Sequence, residues 1–180
     1  MVTRLASALL LVLGVACQNL KVETEYDRAS DMSGYRTWAW YGQPAPTGDE
    51  RLDDPVVQNR VRMAVERELA ERGYQQRLEG EVDFQVTYVL ALKTKLDSVG
   101  LNRRYGYSPG DSWGPGGGGH QLTVEYDQGT LVLDIIDAPK QKLVFRGAAE
   151  RRVSQNPTPE SSRKNIRAAV AGILDEFPPD

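Results

Sequence analysis

The chain has 180 residues, with 22 Lys and Arg against 25 Asp and Glu, one His and one Cys, for a formal net charge of −3. This mildly acidic balance argues against a general nucleic-acid binder, and no broad basic face is available to hold the protein on anionic lipid without an anchor. A single cysteine excludes an internal disulfide framework, and the length suits one domain with a real core.

Met1 to Arg4 supply a short positive start, and Leu5 to Val15 form an apolar run broken only by Ala, Ser and Gly. A membrane-spanning helix needs roughly 20 apolar residues. This run is shorter and has the form of a secretory signal. Gly14, Val15 and Ala16 then precede Cys17. The arrangement resembles the bacterial lipobox, with Gly14 where Leu is usual. That resemblance implies cleavage before Cys17 and acylation (palmitate or a similar chain) of the new first residue. Ordinary signal cleavage, with Gly14 and Ala16 as the small residues, also fits. Each buried methylene of an acyl chain adds roughly 0.8 kcal/mol, and more than one chain makes anchoring stable. Gln18 follows the cysteine, with no Asp there to hold the protein at the inner membrane. By resemblance to sorted bacterial lipoproteins, the expected place is the outer membrane, facing the periplasm. Residues 1–16 are read as signal, 17–21 as lipidated N-terminus and tether, and 22–180 as one domain.

Val22 to Asp27 alternates Val22, Thr24 and Tyr26 with Glu23, Glu25 and Asp27, the pattern of a half-exposed strand. "DRASDMSG" reads as a turn. "YRTWAWYG" is rich in β-favouring aromatics and puts Trp38 and Trp40 on one face with Arg36. "QPAPTGDERL" reads as a loop. A helix follows, with Asp54 as N-cap, Pro55 at the first position and Gly73 at the C-cap. Val57, Val61, Ala64, Val65 and Leu69 form its apolar face, and Arg60, Arg62, Glu66, Arg67 and Glu71 a solvated one. "DFQVTYVLALK" returns to period two, with Phe84, Val86, Tyr88, Leu90 and Leu92 on one side. Residues 98–120 read as a Gly-rich loop.

"LTVEY" and "TLVLDIID" flank "DQG", which reads as a hairpin turn. "KLVFRGAAERRV" is the next strand. A second helix is predicted from Thr158 and Pro159, with Ile166, Ala169, Val170, Ile173 and Phe177 as its buried stripe, ended by Pro178 and Pro179. The order ββαββββα predicts an α+β domain: a largely antiparallel sheet of about six strands with two helices on one face.

Candidate chemistry is sparse. Gly106-Tyr107-Ser108-Pro109-Gly110 matches G-x-S-x-G, with Asp111 and His120 downstream in esterase order. A nucleophile elbow needs a strand before the serine, a helix after it, and the backbone N–H of the next residue in its oxyanion hole. Both flanks here are rich in Gly and Pro, and Pro109 has no N–H. "GPGGGGH" lacks the G-K-[ST] ending of a phosphate loop. His120 has no partner for a zinc site. Asp134 and Asp137 are three apart in a strand and face opposite ways, which rules out a shared metal or an acid–base pair, while Asp134 falls near Arg146 across a hairpin. No cofactor, metal or catalytic residue is expected. Arg103, Arg104, Tyr105, Tyr107 and Trp113, with Asn102, mix charge and aromatics in one loop and suit contact with a lipid phosphate, a glycan or a partner protein.

Several pieces, in order, resemble a bacterial lipoprotein family known as a domain of unknown function, DUF4136. They are Cys17, Val22, Tyr26-Asp27, "YRTWAW" at 35–40, Gly73-Tyr74, "DFQVTY" at 83–88, "GTLVLDIID" at 129–137, "KLVFRG" at 142–147 and "ILDEFPP" at 173–179. Phe145 stands where the family often has Trp. The resemblance implies a periplasm-facing lipoprotein and brings no catalytic residues. The leading expectation is a non-catalytic accessory or binding module of the cell envelope, anchored at Cys17, with an envelope protein or a lipid as partner. The alternative is a lipid or glycolipid carrier, with a serine hydrolase using Ser108 as a remote third.

Overall fold

A computed structural model describes residues 20–100 and 121–179, of which 96–100 and 121–125 are described by backbone alone. In chain order the elements are β1 (Leu20–Tyr26), β2 (Thr37–Trp40), α1 (Glu50–Asp53), α2 (Pro55–Glu71), β3 (Gln75–Gln76), β4 (Phe84–Gly100), β5 (Gln121–Asp137), β6 (Lys142–Val153) and α3 (Pro159–Leu174). The strands form one sheet in the order β1-β6-β5-β4-β2-β3. The α+β class and the helices on one sheet face match the sequence reading. Among the described residues no helix is long and apolar enough to cross a membrane.

The sheet is largely antiparallel, as expected, but not purely so, because one edge is parallel. β1, β6, β5 and β4 pair antiparallel, but β4 and β3 both run parallel to β2. The helical crossover α2 returns the chain to the start of β2, so β3 must run parallel to it. The next segment passes beneath β2, so that Gln76 and Phe84 flank Trp38 on its two sides. Asp83 fixes that passage. Its Oδ2 accepts from Arg36 N at 2.9 Å, Thr37 N at 2.7 Å and Thr37 Oγ1 at 2.8 Å.

The expected hairpin at Asp127-Gln128-Gly129 is absent. β5 runs straight through it, pairing with β4 from Phe84↔Asp137 to Gly100↔Gln121 and with β6 as far as Asp127↔Val153. Two neighbouring strands offer ladder partners across this stretch, and that pairing overrides a local turn preference. Gly129 serves close packing, since a Cβ there would lie 3.2 Å from Val153 Cγ1. Ser98 to Gly100, read as loop, belong to β4.

Two further corrections concern small elements. Residues 50–53, read as loop, form α1, held by the Asp49 N-cap and by Asp53, whose carboxylate accepts from Thr47 N and Gly48 N at 2.8 and 3.0 Å. The added strand is β3.

Inward side chains of β4 alternate as expected: Phe84, Val86, Tyr88 and Leu90 are buried, and Leu131, Leu133 and Ile135 on β5 are buried beside them. β6 carries a bulge opposite Ile135 and Ile136, where Val144 is the extra residue, and both Val144 and Phe145 are buried. α2 and α3 run side by side in the same direction. Arg60 Nη1 reaches Ser162 Oγ (3.2 Å) near their N-termini, and Arg72 Nε reaches Leu174 O (3.1 Å) near their C-termini. At the C-terminal end the core is aromatic. Phe84 lies 5.3 Å from Tyr35, 5.3 Å from Tyr74 and 5.6 Å from Phe177, ring centroid to centroid. Such pairs contribute about 0.5–1.5 kcal/mol each beyond area burial.

Candidate functional site

The opposite end of the same layer is open. Between the sheet and the N-terminal turns of α2 and α3 lies a cavity of about 580 Å³, within the range of small-ligand sites, roughly 300–1,000 Å³. Leu90, Leu131 and Ala149 form its deep floor, with Leu92, Gly129 and Val153 nearer the rim. Val57 on α2 and Ile166 and Ala169 on α3 form the roof. The amphipathic stripes read from sequence place these side chains. Among the described residues no aromatic side chain lines the cavity at this end.

The polar groups are sharply placed. Asp127 is 2% exposed, and a carboxylate that deeply buried needs partners. It has two: Arg51 Nη1 donates at 2.8 Å and Thr94 Oγ1 at 2.9 Å. Arg51 also donates to Asp49 at 2.8 Å through Nη2. Asp54 accepts from Val56 N at 2.6 Å as the α2 cap. Both carboxylates at the cavity are therefore committed to structural partners. Arg60 bridges to Ser162 across the helix N-termini. Arg151 enters from β6, and burial pushes its guanidinium below its ordinary value. Three arginines thus face two carboxylates. The N-terminal ends of two long helices add positive potential at the same rim.

Sequence reasoning missed most of this. The sequence reading puts Arg60 on a solvated helix surface, Asp127 in a turn and Arg51 in a loop. The available signal was the pair Thr94 and Asp127 in one continuous hairpin, hidden by the turn-like "DQG". The other face of α2 is also less solvated than expected: Arg62 stacks over Trp40 at 4.3 Å, and Trp40 Nε1 donates to Glu66 at 3.0 Å.

Asp134 and Asp137 do face opposite ways. Asp134 takes a bidentate pair from Arg146, both bonds at 2.6 Å, on the outer face. Asp137 is buried on the inner face, where Tyr35 OH donates to it at 2.8 Å. Cys17, the contact-loop residues Arg103, Arg104, Tyr105, Tyr107 and Trp113, and Ser108, Asp111 and His120 lie outside the described residues. Among the described residues no three His, Cys, Asp or Glu side chains gather closely enough to hold a metal ion.

Among solved structures, the chain is similar to a PDZ domain protein from Parabacteroides distasonis ATCC 8503, with a TM-score of 0.54 and 12% identity, over 89% of this chain and 36% of that one. The chain thus spans about a third of that protein's length, and the likeness is one of fold. PelC dodecamers from Paraburkholderia phytofirmans align over 86% of this chain and 94% of theirs, at 8% and 9% identity with TM-scores of 0.48 and 0.49. No curated protein matches. The family described as Domain of unknown function (DUF4136) matches residues 22–179, nearly the whole described sheet and both long helices, and the chain belongs to that family.

Proposed function

We propose that the protein is a non-catalytic binding module of the cell envelope, tethered to the outer membrane through an acylated Cys17, and that the cavity beneath α2 and α3 is its ligand site. One observation carries the reading: an apolar cavity of about 580 Å³ rimmed by arginines, in which both carboxylates already serve structural partners. A carboxylate serving as general base or metal ligand needs a free oxygen, and Asp54 and Asp127 already accept from structural donors. The apolar run ending in Cys17 supports the tether.

The apolar floor also favours the carrier reading, in which lipid or glycolipid is held between sheet and helices. Native mass spectrometry of protein purified from envelope membranes tests the site. A retained small-molecule mass, lost on replacing Ile166 by Trp, is expected. A bare polypeptide mass in every preparation would remove the binding-module reading. The tether is tested separately by Cys17→Ser, which should abolish outer-membrane fractionation and the acyl mass increment. Membrane fractionation that survives the change would overturn it.

A further inference from the structure

The cavity's own chemistry narrows its ligand, if the binding-module reading holds. Its deep end is hydrocarbon: Leu90, Leu131 and Ala149 are at most 9% exposed and are covered by Val57, Ile166 and Ala169. Polar groups collect toward the rim, at Arg51, Arg60 and Arg151. A wholly apolar ligand would leave those guanidinium groups facing hydrocarbon, and a wholly polar one would waste the floor. An elongated molecule, greasy at one end and negative at the other, matches both.

We infer that the cavity binds a single-chain amphiphile with an anionic head group, its tail on Leu90, Leu131 and Ala149 and its carboxylate or phosphate beside Arg60 and Arg151. Three further facts support this. Arg51 is held by Asp49 and Asp127, whereas Arg60 meets a neutral hydroxyl, Ser162 Oγ, at 3.2 Å. Arg151 lines the same cavity from β6, where burial pushes its guanidinium below its ordinary value. The first residue of β1, Leu20, pairs with Arg151 itself. Only three residue steps separate Cys17 from Leu20, a reach of about 11 Å at full extension. An acyl anchor at Cys17 would therefore keep the arginine row close to the bilayer surface, where single-chain amphiphiles partition.

Full-length protein carrying Cys17→Ser is titrated with cis-parinaric acid, a fluorescent anionic amphiphile, which is then displaced by competitors. Palmitate and a palmitoyl lysophosphatidate should compete in the same range, hexadecanol and hexanoate at least about tenfold more weakly, since a charge-assisted hydrogen bond and each buried methylene both contribute to affinity. Palmitate alone competing assigns a carboxylate head, and lysophosphatidate alone a phosphate. Arg60→Gln should weaken binding about tenfold, as should Arg151→Gln. Ile166→Trp should abolish it; Val57→Trp repeats the test should that protein not fold by circular dichroism. Equal competition by hexadecanol, or unchanged affinity in both arginine variants, overturns the inference. If no amphiphile competes but a ligand mass still survives native mass spectrometry, this inference fails while the binding-module reading stands. If neither is seen, both fail.

Discussion

Arg51 on α1 and Asp127 in the middle of β5 are 76 residues apart in sequence and 2.8 Å apart in the fold. A four-residue helix outside the core is thereby tied to the central hairpin at the edge of the cavity. The pair is asymmetric, because Arg51 is half exposed whereas the Asp127 side chain is 3% exposed.

That asymmetry sets the cost of breaking it. Arg51→Met leaves a buried carboxylate with Thr94 as its remaining donor, and should destabilise the protein by about 1–3 kcal/mol, reduced from the fully buried case by solvent at the arginine. Arg51→Met combined with Asp127→Asn should recover part of the loss. Urea melts of the single and double variants measure both, and a double variant as unstable as the sum of the singles would show that the two residues do not interact.

Gly147 lies beneath α3, where a Cβ would overlap Ile173 Cγ2. Gly147→Ala should cost about 1–3 kcal/mol by overpacking. In the Ile173→Ala background the same change should cost less, because the obstructing methyl is gone. An equal cost in both backgrounds would mean that the helix does not rest on this glycine.

Tyr35 OH is one of the donors to buried Asp137, with Lys140 N at 2.9 Å and Lys140 Nζ at 3.1 Å. Tyr35→Phe keeps the ring against Phe84 and removes only the bond, and should lower stability by about 1–2 kcal/mol. The phenol's own pKa is raised, by burial first and then by the Asp137 carboxylate. It therefore stays protonated and donating throughout the neutral range, so the loss should be the same at pH 6 and pH 8, as chemical denaturation at the two values can check.

Acid should weaken the fold through carboxyls held below their ordinary value, Asp83 and Asp137 among them. The backbone N–H groups of Thr37 and Arg36 hold Asp83 below its ordinary value of 3.8. Burial pushes Asp137 upward, but donors from Lys140 and Tyr35 outweigh it and leave the group below 3.8 as well. Folded values below unfolded ones mean stability that is complete above the unfolded value and is lost as pH falls toward the folded values. The midpoint of urea unfolding should therefore drop as pH falls below about 4, and Asp83→Asn, already weaker at neutral pH, should show a shallower drop. An acid limb unchanged by Asp83→Asn would take that residue out of the account.

The strongly periodic parts of the chain are legible in its sequence. Both long helices start where their caps and prolines place them, at Asp54-Pro55 and Thr158-Pro159. The period-two face of β4 buries Phe84, Val86, Tyr88 and Leu90, which its alternation names, and leaves Leu92 half-buried. Asp134 finds Arg146 across two strands, as the hairpin spacing suggested. What was hidden is what depends on non-local pairing. Asp127-Gln128-Gly129 has turn chemistry, yet two neighbouring strands and a distant arginine make it strand. Gln75-Gln76 has no hydrophobic pattern and becomes a strand only because Trp38 lies beside it. The cavity was invisible for the same reason. Its arginines come from α1, α2 and β6, and nothing in their local sequence distinguishes them from solvated charges.

The extra residue at Val144 has an effect far from where it sits. A strand's side chains alternate in parity, and one inserted residue inverts the parity of everything after it. With the insertion, Phe145, Gly147, Ala149 and Arg151 point under the helices, and Arg146 and Glu150 point away. Were Val144 instead to pair regularly with Ile135, with no bulge and the preceding register kept, Glu150 would stand opposite Gly129 in the place that Arg151 now occupies. The bulge near the start of β6 thus selects whether the chamber at the other end of the strand presents a cation or an anion to whatever enters it.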